Sequence, residues 1–322
     1  MTEHRLQAIL VNMHRSSHRT HALLQKGDEY DIILIQEPWF NTVATLCSDT
    51  DPTGEPQMGA MANPMWDTHL PKHRQGETCK VVAYTKQSLV RSHIVSNNLA
   101  HPLANANTVI LNIIETDTII MWLISLYHAV PPSGHDLQHL LDYNSDELTP
   151  TLLIRDFNTH SPRWSLHGCT RSSWAPRLHD WLDINNFSLL NPLHEPTWYR
   201  NKNADHPSVL DLAFGNEAAL IGGQIGPIKI SEQDSLGSNH AVLLFEVYPM
   251  DSLAIIPPPA PKGYQMNEEK KTDWMKAFTT LLPRSLITDN DSEPQGIELL
   301  RNKIKQFNYA IEEASRQTLK PK

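Results

Sequence analysis

Short apolar runs rich in branched residues recur through the first 250 positions. Residues 6–11, 31–35, 80–84, 109–114, 119–126, 151–154, 209–214 and 241–247 each hold such a run between polar or turn-forming positions, which predicts eight strands. Helical spacing is rarer. It predicts helices over 17–26, opened by a serine able to cap, over 134–143, and over 174–185, where Trp174, Leu178, Trp181 and Leu182 step by about one turn. Eight strands with few helices between them imply stacked sheets. Residues 49–75, dense in Pro, Gly, Met and His and lacking a period, read as a long surface loop.

The pattern changes beyond residue 250. Pro257, Pro258, Pro259 and Pro261 lack amide donors and favour extended geometry, so 251–266 reads as a semi-rigid linker. Past it, Trp274, Phe278 and Leu281 suggest one helix, and Ile297, Leu300, Ile304, Phe307, Ile311 and Ala314 mark one face of another. The expected organisation is therefore a domain over 1–250, the linker, and a helical tail over 267–322.

Composition narrows the function classes. With 322 residues, 40% hydrophobic and 20% charged, the chain is neither disordered nor a small disulfide-stapled protein. Its longest apolar run, 118–130, falls short of the roughly 20 residues of a membrane-spanning helix. No secretory signal is visible, and Cys47, Cys79 and Cys169 fit neither a disulfide framework nor a zinc cage, so a nuclear or cytoplasmic setting without membrane contact is expected. The formal charge of −9 argues against a passive basic coat for nucleic acid. The acidity is local, since residues 1–250 hold 16 Lys and Arg against 26 Asp and Glu while 251–322 hold 11 against 10.

Polar residues cluster where the apolar runs end. Asn12 follows the first run, Glu37 the second and Tyr127 the fifth; Asp156 and Asn158 follow the sixth, Asp211 falls within the seventh, and Ser238-Asn239-His240 precedes the last. Together these supply oxygen ligands for a hard divalent ion, a carboxylate for water, a histidine for developing charge and amides for phosphate: the parts for metal-assisted phosphodiester hydrolysis. Mg2+ suits one carboxylate plus waters and substrate phosphate, with Mn2+ the alternative. The pairs His18/His21 and His135/His139 could share helical faces, but simple surface placement explains them better than zinc binding.

With Val11-Asn12, Ile35-Gln36-Glu37-Pro38-Trp39, Leu126-Tyr127, Asp156-Phe157-Asn158-Thr159-His160 with Trp164, Ser208-Val209-Leu210-Asp211 and Ser238-Asn239-His240 in order over residues 6–248, the chain resembles the endonuclease/exonuclease/phosphatase superfamily. Within it, the sequence looks like the apurinic-type endonuclease domain of non-LTR (LINE-like) retrotransposons. The resemblance implies a DNase I-like four-layer α/β sandwich, two mainly antiparallel sheets flanked by helices, followed by a tail similar to the segment leading to a reverse transcriptase. It implies that Glu37 ligates Mg2+, with Asn12 nearby fixing phosphate or metal water and Asn239 offering a further oxygen. Tyr127 would hydrogen-bond the scissile phosphate, Asp156 orient or deprotonate water, Asn158 stabilise the transition state, and Asp211 hold His240 toward the phosphate. DNA is the implied substrate, and a reverse transcriptase domain the partner in the parent element; the sequence does not speak to oligomeric state.

Two departures stand out. Asn239 replaces the family's usual aspartate, losing a negative charge beside His240, and Arg155 replaces a usual glycine, placing a long cation where it would crowd the cleft or reach a phosphate. Residues 41–75 and 194–205 are the expected target-reading loops, with Arg74, Arg200 and Lys202 as candidate contacts to flanking phosphates and Trp164 as a further candidate substrate contact. Asn239 also keeps open a catalytically decayed or repurposed interaction protein, and a soluble phosphatase would use the same centre.

Overall fold

Strand residues that look uniformly apolar in sequence separate into two faces in three dimensions. The computed structural model describes residues 5–48, 51–74, 77–127, 134–144, 148–165, 172–199, 207–248 and 268–281, with residues 307, 310, 311, 314, 315 and 318. In chain order the elements are β1 (Leu6–Asn12), α1 (Ser17–Leu24), β2 (Ile32–Gln36), β3 (Phe40–Ser48), β4 (Asp51–Ala60), β5 (Trp66–His69), β6 (Val81–Lys86) and α2 (Gln87–Arg91). There follow β7 (Val95–Asn97), β8 (Thr108–Glu115), β9 (Thr118–Leu126), α3 (Gly134–Leu141), β10 (Thr151–Asp156), α4 (Ala175–Ile184) and β11 (Phe187–Leu189). The last are β12 (Asp211–Asn216), α5 (Glu217–Ile221), β13 (Lys229–Ser231), β14 (Val242–Val247) and α6 (Glu268–Leu281).

Two six-stranded sheets, ordered β13-β14-β1-β2-β6-β5 and β11-β12-β10-β9-β8-β7, form the body of the molecule. Only β1/β2 and β9/β10 pair in parallel; the other ladders of these sheets are antiparallel. Side chains alternate across a strand. In β1, Ala8 and Leu10 take one face and join Ile32, Leu34, Leu243 and Phe245 in packing against Val109, Leu111, Met121, Leu123, Leu152 and Ile154 of the other sheet. The intervening residues face outward and meet helices. Ile9, Val11, Ile33 and Ile35 share a cluster with Leu23 and Leu24 of α1. Leu153, Leu212 and Phe214 share another with Leu140 of α3 and Leu178, Trp181 and Leu182 of α4. The result is the four-layer α/β sandwich, and the continuous runs are explained because both faces of each central strand are covered.

The eight expected strands and three expected helices are present, with α1 capped by Ser16, whose Oγ accepts the Arg19 amide at 3.3 Å. The expectation of a loop over 49–75 is corrected: β4 and β5 lie within it, and β3 with β4 makes a two-stranded ribbon. Pro52 and Pro56 concealed β4. A ribbon has an open edge on each strand, where a missing amide donor is tolerated, and the β3/β4 register shifts twice around such positions. The short edge strands β7, β11 and β13 were also illegible, three residues being too few to show a period.

The chain divides into two compact units, Met1–Ile256 and Pro257–Lys322. The 251–266 segment, with its prolines, lies outside the described residues. In the second unit the Trp274 and Phe278 rings of α6 stack with centroids 5.0 Å apart, and Phe307 meets Phe278 edge-on at 5.6 Å. The Trp274 indole N–H donates to Ser315 Oγ at 3.1 Å, while Ile297, Leu300 and Ile304 of the second expected helix lie outside the described residues. Among the described residues no helix is long and apolar enough to cross a membrane.

Candidate active site

Two parallel pairs, one in each sheet, bring their C-terminal ends to one edge of the sandwich. In the first sheet Asn12 at the end of β1 stands opposite Gln36 at the end of β2, and Glu37 follows directly. In the second, β9 runs parallel to β10, so Tyr127 and Asp156 emerge at the same edge, and antiparallel β12 enters there with Asp211 opposite Asp156. Gln36 joins the sheets. It is fully buried, its Nε2 donating to Leu126 O at 3.0 Å and its Oε1 accepting the Asp156 amide at 2.9 Å. One side chain thus fixes the end of β2 against the ends of β9 and β10.

The first group of site residues is buried. His240 Nδ1 lies 2.9 Å from Asp211 Oδ2, and His240 Nε2 lies 3.9 Å from Asp156 Oδ2, with all three residues at most 4% exposed. Burial raises the Asp156 pKa and the neighbouring Asp211 carboxylate adds to this, while His240 acts against it. Burial alone would lower the His240 pKa, but the charges and hydrogen bond of Asp211, with Asp156, outweigh it and raise the imidazole to about 9. An imidazolium is therefore held at neutral pH with one face committed to Asp211 and the other toward Asp156. Asp156 Oδ1 also accepts the Asn158 amide at 3.0 Å, closing a turn in which Asn158 adopts φ 47°.

The second group is more open. Glu37, with φ 46° immediately before Pro38, holds a left-handed backbone conformation that costs about 1–3 kcal/mol in a non-glycine residue. Backbone bonds hold it there: its amide donates to Lys80 O at 3.0 Å and its carbonyl accepts the Arg15 amide at 2.7 Å. Its carboxylate receives the Tyr127 hydroxyl at 3.0 Å and lies 3.5 Å from His14 Nδ1. The His14 contact, followed by Tyr127, outweighs burial and lowers the Glu37 pKa to about 2, so the group is ionised. Burial and the adjacent Glu37 charge raise the Tyr127 hydroxyl pKa, keeping it a donor. His14 Nε2 contacts Asn239 Oδ1, so its ring stands between Glu37 and Asn239. Asn12 Oδ1 accepts the His14 amide at 3.1 Å, while Asn12 Nδ2 is buried, short of a well-formed hydrogen bond but near enough to the Glu37 carboxylate to help hold its charge.

The structure therefore brings Asn12, Glu37, Tyr127, Asp156, Asn158, Asp211, Asn239 and His240 to one edge. Trp164, expected at the substrate, is instead 1% exposed in the outer core, where its indole N–H donates to Thr159 O at 3.0 Å. It braces the turn after Asp156 and does not face solvent. Arg155 does not crowd the Asp156 cleft either; strand alternation turns it to the outer face, where it lies over the Phe157 ring at 4.6 Å. Arg74 is exposed between β5 and β6, and Arg200 and Lys202 lie outside the described residues. Among the described residues, the His, Cys, Asp and Glu group with metal-binding proximity is Asp156, Asp211 and His240, which does not include His18 or His21.

Sequence reading missed three residues that build the site. Gln36 was visible only as part of a motif, and His14 and Thr197 not at all. Thr197 Oγ1 accepts both the Leu210 amide at 2.9 Å and the Asp211 amide at 2.8 Å, while its carbonyl accepts the Ala241 amide at 2.8 Å, tying Asp211 to the His240 strand. The Tyr199 amide continues the link to Asn239 O at 2.9 Å.

Residues 121–244, which include most of this edge, match the family described as endonuclease-reverse transcriptase. The endonuclease domain of TRAS1, a telomere-specific non-LTR retrotransposon, is similar in fold, with a TM-score of 0.52 and 18% identity over 75% of this chain and 98% of that one. So is the 3′-5′ exonuclease NExo from Neisseria meningitidis, with a TM-score of 0.50 and 13% identity over 76% of this chain and 100% of that one. Curated protein sequences contain no match. The family match is confined to residues 121–244, and the likeness to these structures shows that the chain shares their fold.

Proposed function

We propose that this chain is a divalent-metal-dependent phosphodiesterase that nicks DNA, the endonuclease portion of a non-LTR retrotransposon polyprotein. The observation that carries the reading is the convergence at one sheet edge of an ionised Glu37 bonded to Tyr127 with a buried Asp156–His240–Asp211 array. Glu37 with the amide oxygens of Asn12 and Asn239 forms a hard, oxygen-only donor set, which fits Mg2+ better than a nitrogen- or sulfur-seeking ion. When bound, the metal supplies charge neutralisation at the phosphate. The remaining work falls to the chain's own groups. Asp156 orients and deprotonates the attacking water; Tyr127 and Asn158 hydrogen-bond the phosphate; His240, with Nδ1 held by Asp211, offers positive charge or a proton from Nε2 as negative charge develops. The nicked strand carries a 3′-hydroxyl, able to prime synthesis by a reverse transcriptase. In this reading 1–250 is the catalytic domain, 251–266 a linker and 267–322 a helical tail toward the polymerase.

The contact of His14 with Asn239 favours a second reading, a weakened centre in which the amide has lost the charge of an aspartate and faces an imidazole instead. Relaxation of supercoiled plasmid tests both. Nicking that requires Mg2+ and disappears in Asp156→Ala supports the enzyme; wild type no faster than Asp156→Ala overturns it, and recovery in Asn239→Asp identifies decay. Phosphate release from soluble phosphoesters without DNA cutting selects a phosphatase.

A further inference from the structure

On the outer face of the second sheet, Arg155 is a buried cation whose donors are only partly used. It is 1% exposed; Nε donates to Asp156 O at 3.2 Å, and Nη2 is buried with no acceptor. A guanidinium carries five N–H donors and no acceptor, and leaving such donors unpaired away from water is unfavourable. The side chain lines a cavity of about 180 Å³ whose walls also include Tyr127, Asn105, Asn107, His139 and, with an exposed carboxylate, Glu77. Tyr127 also donates to Glu37, so the cavity and the catalytic edge share a wall.

We propose that this cavity is a phosphate subsite, in which the Arg155 guanidinium receives a non-scissile phosphate of the strand being cut. The guanidinium fork matches phosphate oxygens in a way a lysine does not. Burial lowers the Arg155 pKa to about 9, opposed by the nearby Asp156 charge, so the side chain remains cationic at neutral pH. The volume lies below the roughly 300 Å³ at which small-molecule sites begin, so it suits one group delivered by a larger ligand. The side-chain amides of Asn105 and Asn107 and the His139 imidazole supply polar contacts at its walls. The inference rests on the nuclease reading for the source of the phosphate and on the cavity alone for its chemistry.

Binding by the full chain carrying His240→Gln, which removes catalysis, tests this with duplexes bearing a single uncharged methylphosphonate at successive positions. With Arg155 present, one non-scissile position should weaken binding about tenfold; Arg155→Met should bind unmodified DNA correspondingly less and lose sensitivity at that position alone, its salt slope falling by about 1. Asn107→Trp, which fills the cavity from its wall and leaves Arg155 in place, should behave alike and guards against misfolding of the arginine variant. Titration with inorganic phosphate, followed by calorimetry, separates the sources. Saturable binding lost in both variants, without any position-specific DNA effect, keeps the phosphate subsite and removes the DNA reading of it. No position-specific effect and no phosphate binding overturn the proposal.

Discussion

Asp156 carries two opposed demands. Its raised pKa means that the folded protein holds its carboxylate at a cost, whereas the proposed chemistry needs it ionised. Asp156→Asn is therefore expected to reduce nicking by about 10²- to 10⁴-fold, the usual scale for a general base, while leaving the melting temperature in EDTA undiminished; a stability loss without an activity loss would assign the residue to folding. In His240 it is the charged form that the folded protein favours, although the sign of the linkage to pH is the same. Its folded pKa is raised to about 9 from 6.5, so its contribution is fully present below about pH 6.5 and is lost as pH rises through 9. Denaturant unfolding in EDTA should show that decline, and His240→Gln should flatten it. His14 gives a third expectation. Its ring stands between two of the oxygens assigned to the metal, so His14→Ala should lower the Mg2+ concentration for half-maximal nicking, and unchanged metal dependence would show that the ring does not obstruct entry.

At the level of elements, the centre depends on side chains that bond backbone ends which no ladder reaches. Thr197 is one such tie, serving the Leu210 and Asp211 amides with one hydroxyl oxygen. Thr197→Val keeps the shape and leaves two buried donors unpaired, each costing about 1–3 kcal/mol, whereas Thr197→Ser retains the acceptor. Chemical denaturation should therefore separate the two variants clearly, and nicking should fall with Val and persist with Ser. Equal stabilities would mean that water replaces the hydroxyl. Gln36 performs the same service between sheets, and its position as the buried polar end of an otherwise apolar strand is explained by those two bonds. The ribbon of β3 and β4 occupies much of the region expected to read target sequence, so any groove contacts there would come from a paired strand element, more rigid than a loop.

For the whole molecule, the two compact units and the core clusters confined to the first predict that residues 1–256 fold alone. Circular dichroism and cooperative melting of that fragment should match the corresponding transition of the full chain; a disordered fragment would show that the second unit is required. Much of this architecture was legible beforehand. Short branched runs in β1, β2, β9 and β10 announced strands in stacked sheets, whereas the covering of both their faces emerged only from the layered packing. The ordered polar residues at their ends announced the candidate site, since strand direction and register carry chain positions to a common edge. Three further things required tertiary structure. Pro52 and Pro56 hid β4 because its tolerance for proline depends on an open edge that only pairing defines. Trp164 and Arg155 appeared beside site residues in sequence, yet strand alternation and packing turned one into the outer core and the other toward a cavity. His14, Gln36 and Thr197 gained their roles from partners such as Asn239, Asp156 and Asp211, far along the chain. Local composition and period thus determined which segments pair and where polar groups emerge, while long-range contacts alone decided which of those groups meet, because hydrogen bonds and burial act across space and leave no period in the chain.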